Sequence, residues 1–249
     1  MKKYTIGLIT GALLAVSAMM FIGAQNKNLG DITVNSITVL DDGNGGFITT
    51  YNADGKETVF LGTADTGGGI LSTYNADGKK TISLGTNIEG GGALYAYNVD
   101  GKETAYLGTG EGGVGRLSTY NTDGKQTTFV GGSEGGVGFI STFNADGKET
   151  ANIGTNVEGG DGYLRAYNSD GKQIVYLGTN VEGGGFLQTS NADGKETVTL
   201  GSYKGYGIIR TFNTHGVNTG YFGTNNNNDG TAILYDRYGD EGWGASGKQ

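Results

Sequence analysis

Carboxylates and tyrosines are the residues of this sequence whose types and spacing could do chemistry. Glu89, Glu111, Glu134, Glu158 and Glu182 recur in Gly-rich stretches, and Asp recurs in an Asn-x-Asp-Gly-Lys motif. Paired carboxylates serve glycoside hydrolysis and hard-cation binding. Repetition argues against hydrolysis, because catalysis needs one uniquely shaped and desolvated pair. The set reads as structural, or as a repeated cation site. Calcium is the cation such oxygens would take, yet no EF-hand loop is present, and Gly159-Gly160-Asp161-Gly162 approaches the calcium β-roll nonapeptide only once. The single histidine, His215, replaces the Asp of its own motif and has no second His or Cys to complete a metal site. The serines lack a base partner recognisable by motif, and Gly113-Val-Gly115 opens no helix that could cradle a phosphate. No catalytic residue, metal ligand or cofactor is therefore assigned. Tyr51, Tyr74, Tyr97, Tyr120 and Tyr167 remain as ligand-contacting candidates, since a row of phenol rings could stack on sugars; cross-strand packing is their commoner use.

These residues belong to a repeat. An aromatic-Asn-x-Asp-Gly-Lys pattern, or a close variant, returns eight times at a spacing of 22 to 24 residues from Tyr51 to Phe212, with a degraded ninth copy at Tyr235. That period predicts a linear array of one small unit. In the type unit, Phe47–Tyr51 and Lys56–Leu61 are rich in β-branched and aromatic residues and are bounded by Gly, Asn and Asp, so both read as strands. Asn52-Ala53-Asp54-Gly55 between them suits a type I turn closed by a glycine at positive φ. One unit has too few apolar side chains to offset the entropy of ordering itself, so stability must come from its neighbours.

Period-two alternation assigns the faces. Ile48, Leu71, Leu94, Leu117, Ile140, Leu164, Leu187 and Ile209 in the first strands share a face with Leu61, Leu84, Leu107, Val130, Ile153, Leu177 and Leu200 in the second. These aliphatic columns are expected to be buried. The other face, with Phe60, Tyr106, Phe129 and Tyr176 beside Ser83, Asn152 and Thr199, is expected to be variable and wet. The fold class that follows is all-β: about nine two-strand units wound into a β-solenoid or roll. A parallel β-helix is the alternative, although it would stack Lys56, Lys79, Lys102 and their equivalents into a like-charge column.

The ends depart from the repeat. Lys2 and Lys3 precede an apolar run from Ile6 to Ala24, the layout of a secretory signal cut near Ala24, or of an anchor if uncleaved. Residues 1–24 are thus assigned to a signal peptide or anchor, 25–45 to an entry strand carrying Ile32, Val34, Ile37 and Val39, and 46–224 to the hairpin array. Residues 225–249 form a degenerate last repeat with Trp243, the only tryptophan, as a cap. Export to the periplasm, cell surface or medium is expected, with membrane contact only through an uncleaved N-terminal segment. With 17 basic against 25 acidic residues and a formal charge of −8, nucleic acid is not an expected partner. Absence of Cys excludes disulfides and thiolate chemistry.

The unit, Leu-x-x-Tyr-Asn-x-Asp-Gly-Lys with a following Leu-Gly, resembles hairpin repeats of bacterial surfaces and phage fibres, including tyrosine-aspartate and MORN repeats. The similarity spans residues 46–239. MORN units carry a different Gly/Trp pattern, and Lys stands here where the tyrosine-aspartate family usually has Arg. The resemblance implies an extracellular repeat scaffold and transfers no site residue. The expected function is that of a secreted or surface structural repeat protein (spacer, stalk or matrix component) and not an enzyme. The alternative is a multivalent glycan-binding or adhesion module. Expected partners are further copies of the chain, as a trimer or by lateral sheet association, and a cell-surface polysaccharide.

Overall fold

The Asn of each turn motif starts a hairpin. In the first, the Asn52 side-chain Oδ1 accepts the backbone N–H groups of Asp54 and Lys56 at 3.1 and 2.9 Å, while Gly55 N–H closes the turn on the Asn52 carbonyl at 3.0 Å. Gly55 has φ 74°, a left-handed conformation that glycine adopts without a Cβ penalty. The strand register slips at Thr50/Tyr51, the bulge expected beside such a turn.

The computed structural model describes residues 7, 10, 11, 13–17, 33–41, 43 and 45–247. The chain divides into two units, Met1–Leu40 and Asp41–Gln249. In the first, residues 13–17 are helical, and no helix among the described residues is long and apolar enough to cross a membrane. Ile32 and the expected cleavage point at Ala24 lie outside the described residues. The expected entry strand is not formed across residues 33–41: Val34, Ile37 and Val39 are exposed and unpaired with any strand. That segment follows no turn motif.

The second unit is a meander of nine hairpins. β1 (Phe47–Tyr51) pairs β2 (Glu57–Thr63), β3 (Gly69–Tyr74) pairs β4 (Lys80–Thr86), and β5 (Gly92–Tyr97) pairs β6 (Glu103–Thr109). β7 (Gly115–Tyr120) pairs β8 (Gln126–Gly132), β9 (Gly138–Phe143) pairs β10 (Glu149–Thr155), and β11 (Gly162–Tyr167) pairs β12 (Gln173–Thr179). β13 (Gly185–Ser190) with β14 (Glu196–Tyr203), β15 (Tyr206–Phe212) with β16 (Asn218–Thr224), and β17 (Gly230–Tyr235) with β18 (Glu241–Ser246) complete the array. Consecutive hairpins pair antiparallel in turn, giving one 18-stranded sheet with β1 and β18 as its edges. Because every pairing is antiparallel, the parallel β-helix alternative is excluded.

The burial expectation is inverted. Leu61, Leu107 and Leu177 on the aliphatic face are 50, 56 and 50% exposed, whereas Ser72, Ser118 and Tyr106 on the opposite face are 1, 1 and 2% exposed. The sheet is one layer, so nothing within the unit covers the leucines. On the other face large side chains alternate with small ones along the cross-strand row: Tyr106 stands opposite Ser118, and Ser118 opposite Phe129. The small serines between these large neighbours are buried, and guanidinium groups lie over the neighbouring rings, Arg116 on Tyr106 among them. Trp243 pairs with Leu234 on the aliphatic face and is itself exposed, so it does not cap a core.

Candidate functional site

The face that covers itself holds the functional candidates. Tyr51, Tyr74, Tyr97, Tyr120 and Tyr167 end β1, β3, β5, β7 and β11, all on this face, and each stands opposite the first residue of the next strand: Glu57, Lys80, Glu103, Gln126 and Gln173. Two strands separate neighbouring rings, about 9.5 Å. Phe143 occupies the equivalent place in β9. The five were expected to be exposed; Tyr51 is, but the other four are half-buried among neighbouring side chains.

Strands β5, β6 and β7 together hold a cluster of rings and charges. Tyr95 stacks along β5 on Tyr97, with ring centroids 6.4 Å apart, and meets Tyr106 of β6 edge-on at 4.9 Å. The Arg116 guanidinium of β7 lies 4.4 Å from the Tyr106 ring centre, and the Tyr106 hydroxyl donates to the Thr109 carbonyl. Burial pushes the Glu103 carboxyl above the usual carboxylate range, against the opposing pull of Arg116 and of a hydrogen bond with Tyr120. Burial also raises the Tyr95 and Tyr97 phenols, with Tyr106 next in effect on Tyr95 and Glu103 on Tyr97. Such a surface can stack a ring and exchange hydrogen bonds with hydroxyls. On this face the next carboxylates, Glu57 and Glu149, are four strands away on either side, about 19 Å; a hydrolytic pair needs roughly 5–9.5 Å.

The Glu and Asp residues singled out by recurrence are not brought together. The Asp residues lie in the turns inside each hairpin, the Glu residues in the loops between hairpins, so a strand length of about 20 Å separates them. Their chemistry is local. Glu182 accepts the Lys204 N–H of the next loop at 2.6 Å. His215 sits exposed in its turn and donates its backbone N–H to Asn213 Oδ1 at 2.9 Å. Among the described residues no group of three His, Cys, Asp or Glu converges on one point.

A second feature escaped the sequence. A groove of about 390 Å³ near the C-terminal end is lined by Tyr203, Lys204, Tyr206, Arg210, Asn218, Tyr221, Asn225, Asn226 and Tyr235, with Ile208, Thr224, Thr231 and Ile233 between them. Arg210 lies 5.3 Å from the Tyr203 ring centre and 6.0 Å from that of Tyr221. The signal that could have found it is the departure from the repeat at Tyr203-Lys204-Gly205-Tyr206, where a two-residue turn with both residues at positive φ replaces the Glu-Gly-Gly loop.

No protein-family model and no curated protein matches the sequence. Among solved structures, the wild-type TCP10 domain of Danio rerio CPAP overlaps 81% of this chain and 96% of its own at 13% identity and a TM-score of 0.37; a point mutant of that domain gives the same score. A porin-like protein from Bacteroides uniformis overlaps 84% of this chain and 91% of its own at 14% identity and a TM-score of 0.16. Scores this low do not establish a common fold.

Proposed function

We propose that the chain is an extracytoplasmic structural repeat protein, a spacer, stalk or matrix component, without catalytic activity. The observation that carries this reading is the uniformity of the array: each hairpin touches only its neighbours, so units can be added or lost without rebuilding a centre. Strand twist of roughly 20° per neighbour accumulates along such an array and would coil it into the roll the repeat suggests. The Lys2/Lys3 and apolar N-terminal pattern supports export, or anchoring where the segment is retained. Deleting residues 92–114, one unit, should leave a folded, exported protein one hairpin shorter, cleavable by protease added to intact cells. Protection of the array that persists after the outer envelope is opened, with the cytoplasmic membrane intact, would sink the reading.

A second reading, a multivalent polysaccharide-binding surface, is favoured by the aromatic row at about 9.5 Å spacing and by the tyrosine-lined groove. Glycan-array binding that disappears in the Tyr97→Ala/Tyr120→Ala double variant supports it. Binding that survives both substitutions refutes a role for that row.

A further inference from the structure

The two faces of the sheet differ in charge as sharply as in shape. Every charged residue within a strand, from Glu57 and Lys80 to Arg210 and Glu241, lies on the aromatic face. The opposite face carries none, in a protein of formal charge −8. Instead it presents an unbroken aliphatic ladder, each member directly opposite the next, from Ile48–Leu61–Leu71 at one end to Leu200–Ile209–Phe222 at the other. Leu107, Ile153 and Leu177 along it are half exposed or more.

The polar groups of this face are already arranged for dehydration. Beside the ladder, threonine hydroxyls pair with one another across most of the hairpins, among them Thr73 with Thr81 at 2.7 Å, Thr119 with Thr127 at 2.8 Å, Thr142 with Thr150 at 2.9 Å and Thr189 with Thr197 at 2.9 Å. In two of these pairs the second hydroxyl also has an acceptor, Thr150 donating to the Thr142 carbonyl and Thr197 to the Thr189 carbonyl, both at 3.1 Å, so covering those pairs orphans no donor and lowers the penalty of burying hydroxyls. The area is sufficient. At roughly 60–120 Å² for a fully exposed aliphatic side chain, the half-exposed ladder and its flanking valines leave on the order of 500–1,000 Å² uncovered, from the upper end of the ~300–600 Å² patch of an ordinary monomer to well beyond it. Two such faces in contact bury on the order of 1,000–2,000 Å², the range of a specific interface.

We propose that two copies pack aliphatic face to aliphatic face as an isologous dimer, the sheets about 10 Å apart. A second copy is the fitting occupant because its ladder has the same strand spacing along the whole length, so every rung meets an equivalent rung, and because neither face brings a charge to be desolvated. The dimer gives the scaffold reading its partner, but does not depend on where the protein resides; cell-surface proteolysis tests the one and sedimentation the other.

Sedimentation equilibrium of the full chain and of its Leu107→Lys/Leu177→Lys variant tests the proposal. Wild type should sediment as a dimer at micromolar concentration, with the variant's dissociation constant raised at least about 100-fold and its β-sheet circular dichroism unchanged, since both leucines are open to water in the single chain. Should the lysines unfold the chain, Leu107→Gln/Leu177→Gln keeps the comparison, with the same direction expected. A monomeric wild type overturns the proposal. So does association that ignores these substitutions, including end-to-end growth through the edges of β1 and β18.

Discussion

Replacing Asn213 by Ala and, separately, by Asp should split the work of the turn motif into two parts. The Asn213 side chain makes three hydrogen bonds: Oδ1 accepts from the N–H groups of His215 and Val217 at 2.9 and 3.1 Å, and Nδ2 donates to the Arg237 carbonyl of the following turn at 3.1 Å. Each is worth about 0.5–1.5 kcal/mol net. Asn213→Ala loses all three, roughly 1.5–4.5 kcal/mol. Asn213→Asp keeps both acceptances and loses only the tie to the next hairpin, roughly 0.5–1.5 kcal/mol. The protein contains its own precedent: the last hairpin of the described array has Asp236 at the equivalent place, accepting from Tyr238 and Asp240 at 2.8 and 3.0 Å. Trp243, alone of its kind, sits in that last hairpin and reports on the C-terminal end by fluorescence in urea. The Ala variant loosens the hairpin on which the last one rests as well as the tie, so its midpoint should fall by roughly 1 M or more, with the Asp variant between it and wild type. Equal shifts in the two variants would refute a contribution from the turn acceptances, and no shift in either would remove the side chain from the stability argument.

Three further outcomes follow from the geometry. The Asp236 carboxylate is held below its ordinary value of 3.8 by the N–H bonds of Asp240 and Tyr238; its contribution is present above that value and lost as pH falls through the lower folded one, so Trp243 fluorescence should show the last hairpin loosening in acid, and Asp236→Asn should flatten that response. Glu103 has the opposite sign: burial raises its carboxyl above 4.5, so stability declines as pH rises through the raised value, and Glu103→Gln should melt higher than wild type at pH 7, with the gap closing in acid. At Gly178 a Cβ would lie 2.7 Å from the Tyr176 hydroxyl and 3.1 Å from the Gly162 carbonyl; Gly178→Ala should cost about 1–3 kcal/mol by overpacking in urea unfolding, and less in a Tyr176→Ala background.

Local chemistry was legible in the sequence, and layer organisation was not. Turn position, bulge and strand alternation follow from Asn-x-Asp-Gly and from period two, because backbone geometry fixes them residue by residue. The entry strand failed because Val34, Ile37 and Val39 have strand-like composition but no partner ladder, and pairing is a property of two segments. The aromatic cluster was only half visible. Tyr97 and Tyr120 stand out by recurrence, whereas Tyr95 and Arg116 join them only through the registers Tyr95 opposite Tyr106 and Arg116 opposite Gly108. The C-terminal groove arises where the repeat breaks, and a search for repetition passes over such a place.

The inverted burial has a more general cause. Reading aliphatic columns as buried assumes that a sheet has something to lie against, and within its own unit this one does not. It holds together instead along its rims and its ladders. At the turn rim, Asn121, Asn168 and Asn213 reach the carbonyls of the next turn, and Lys102, Lys148, Lys172 and Lys195 do the same with their ammonium groups at 2.8 to 3.3 Å. At the loop rim, Asn87 and Asn180 donate to the carbonyls of Thr109 and Ser202, at the ends of β6 and β14 in the next hairpin. The constancy of Asn and Lys in the motif is thus explained twice, by the turn each Asn closes and by the neighbour that both residues bind. Nothing of this kind stabilises the exposed leucines, whose recurrence in every strand does not serve the single layer. Their regularity is accounted for once the folded unit is a pair of sheets: alternation then identifies the buried face of the pair, and the aliphatic columns become the core that a single sheet lacks.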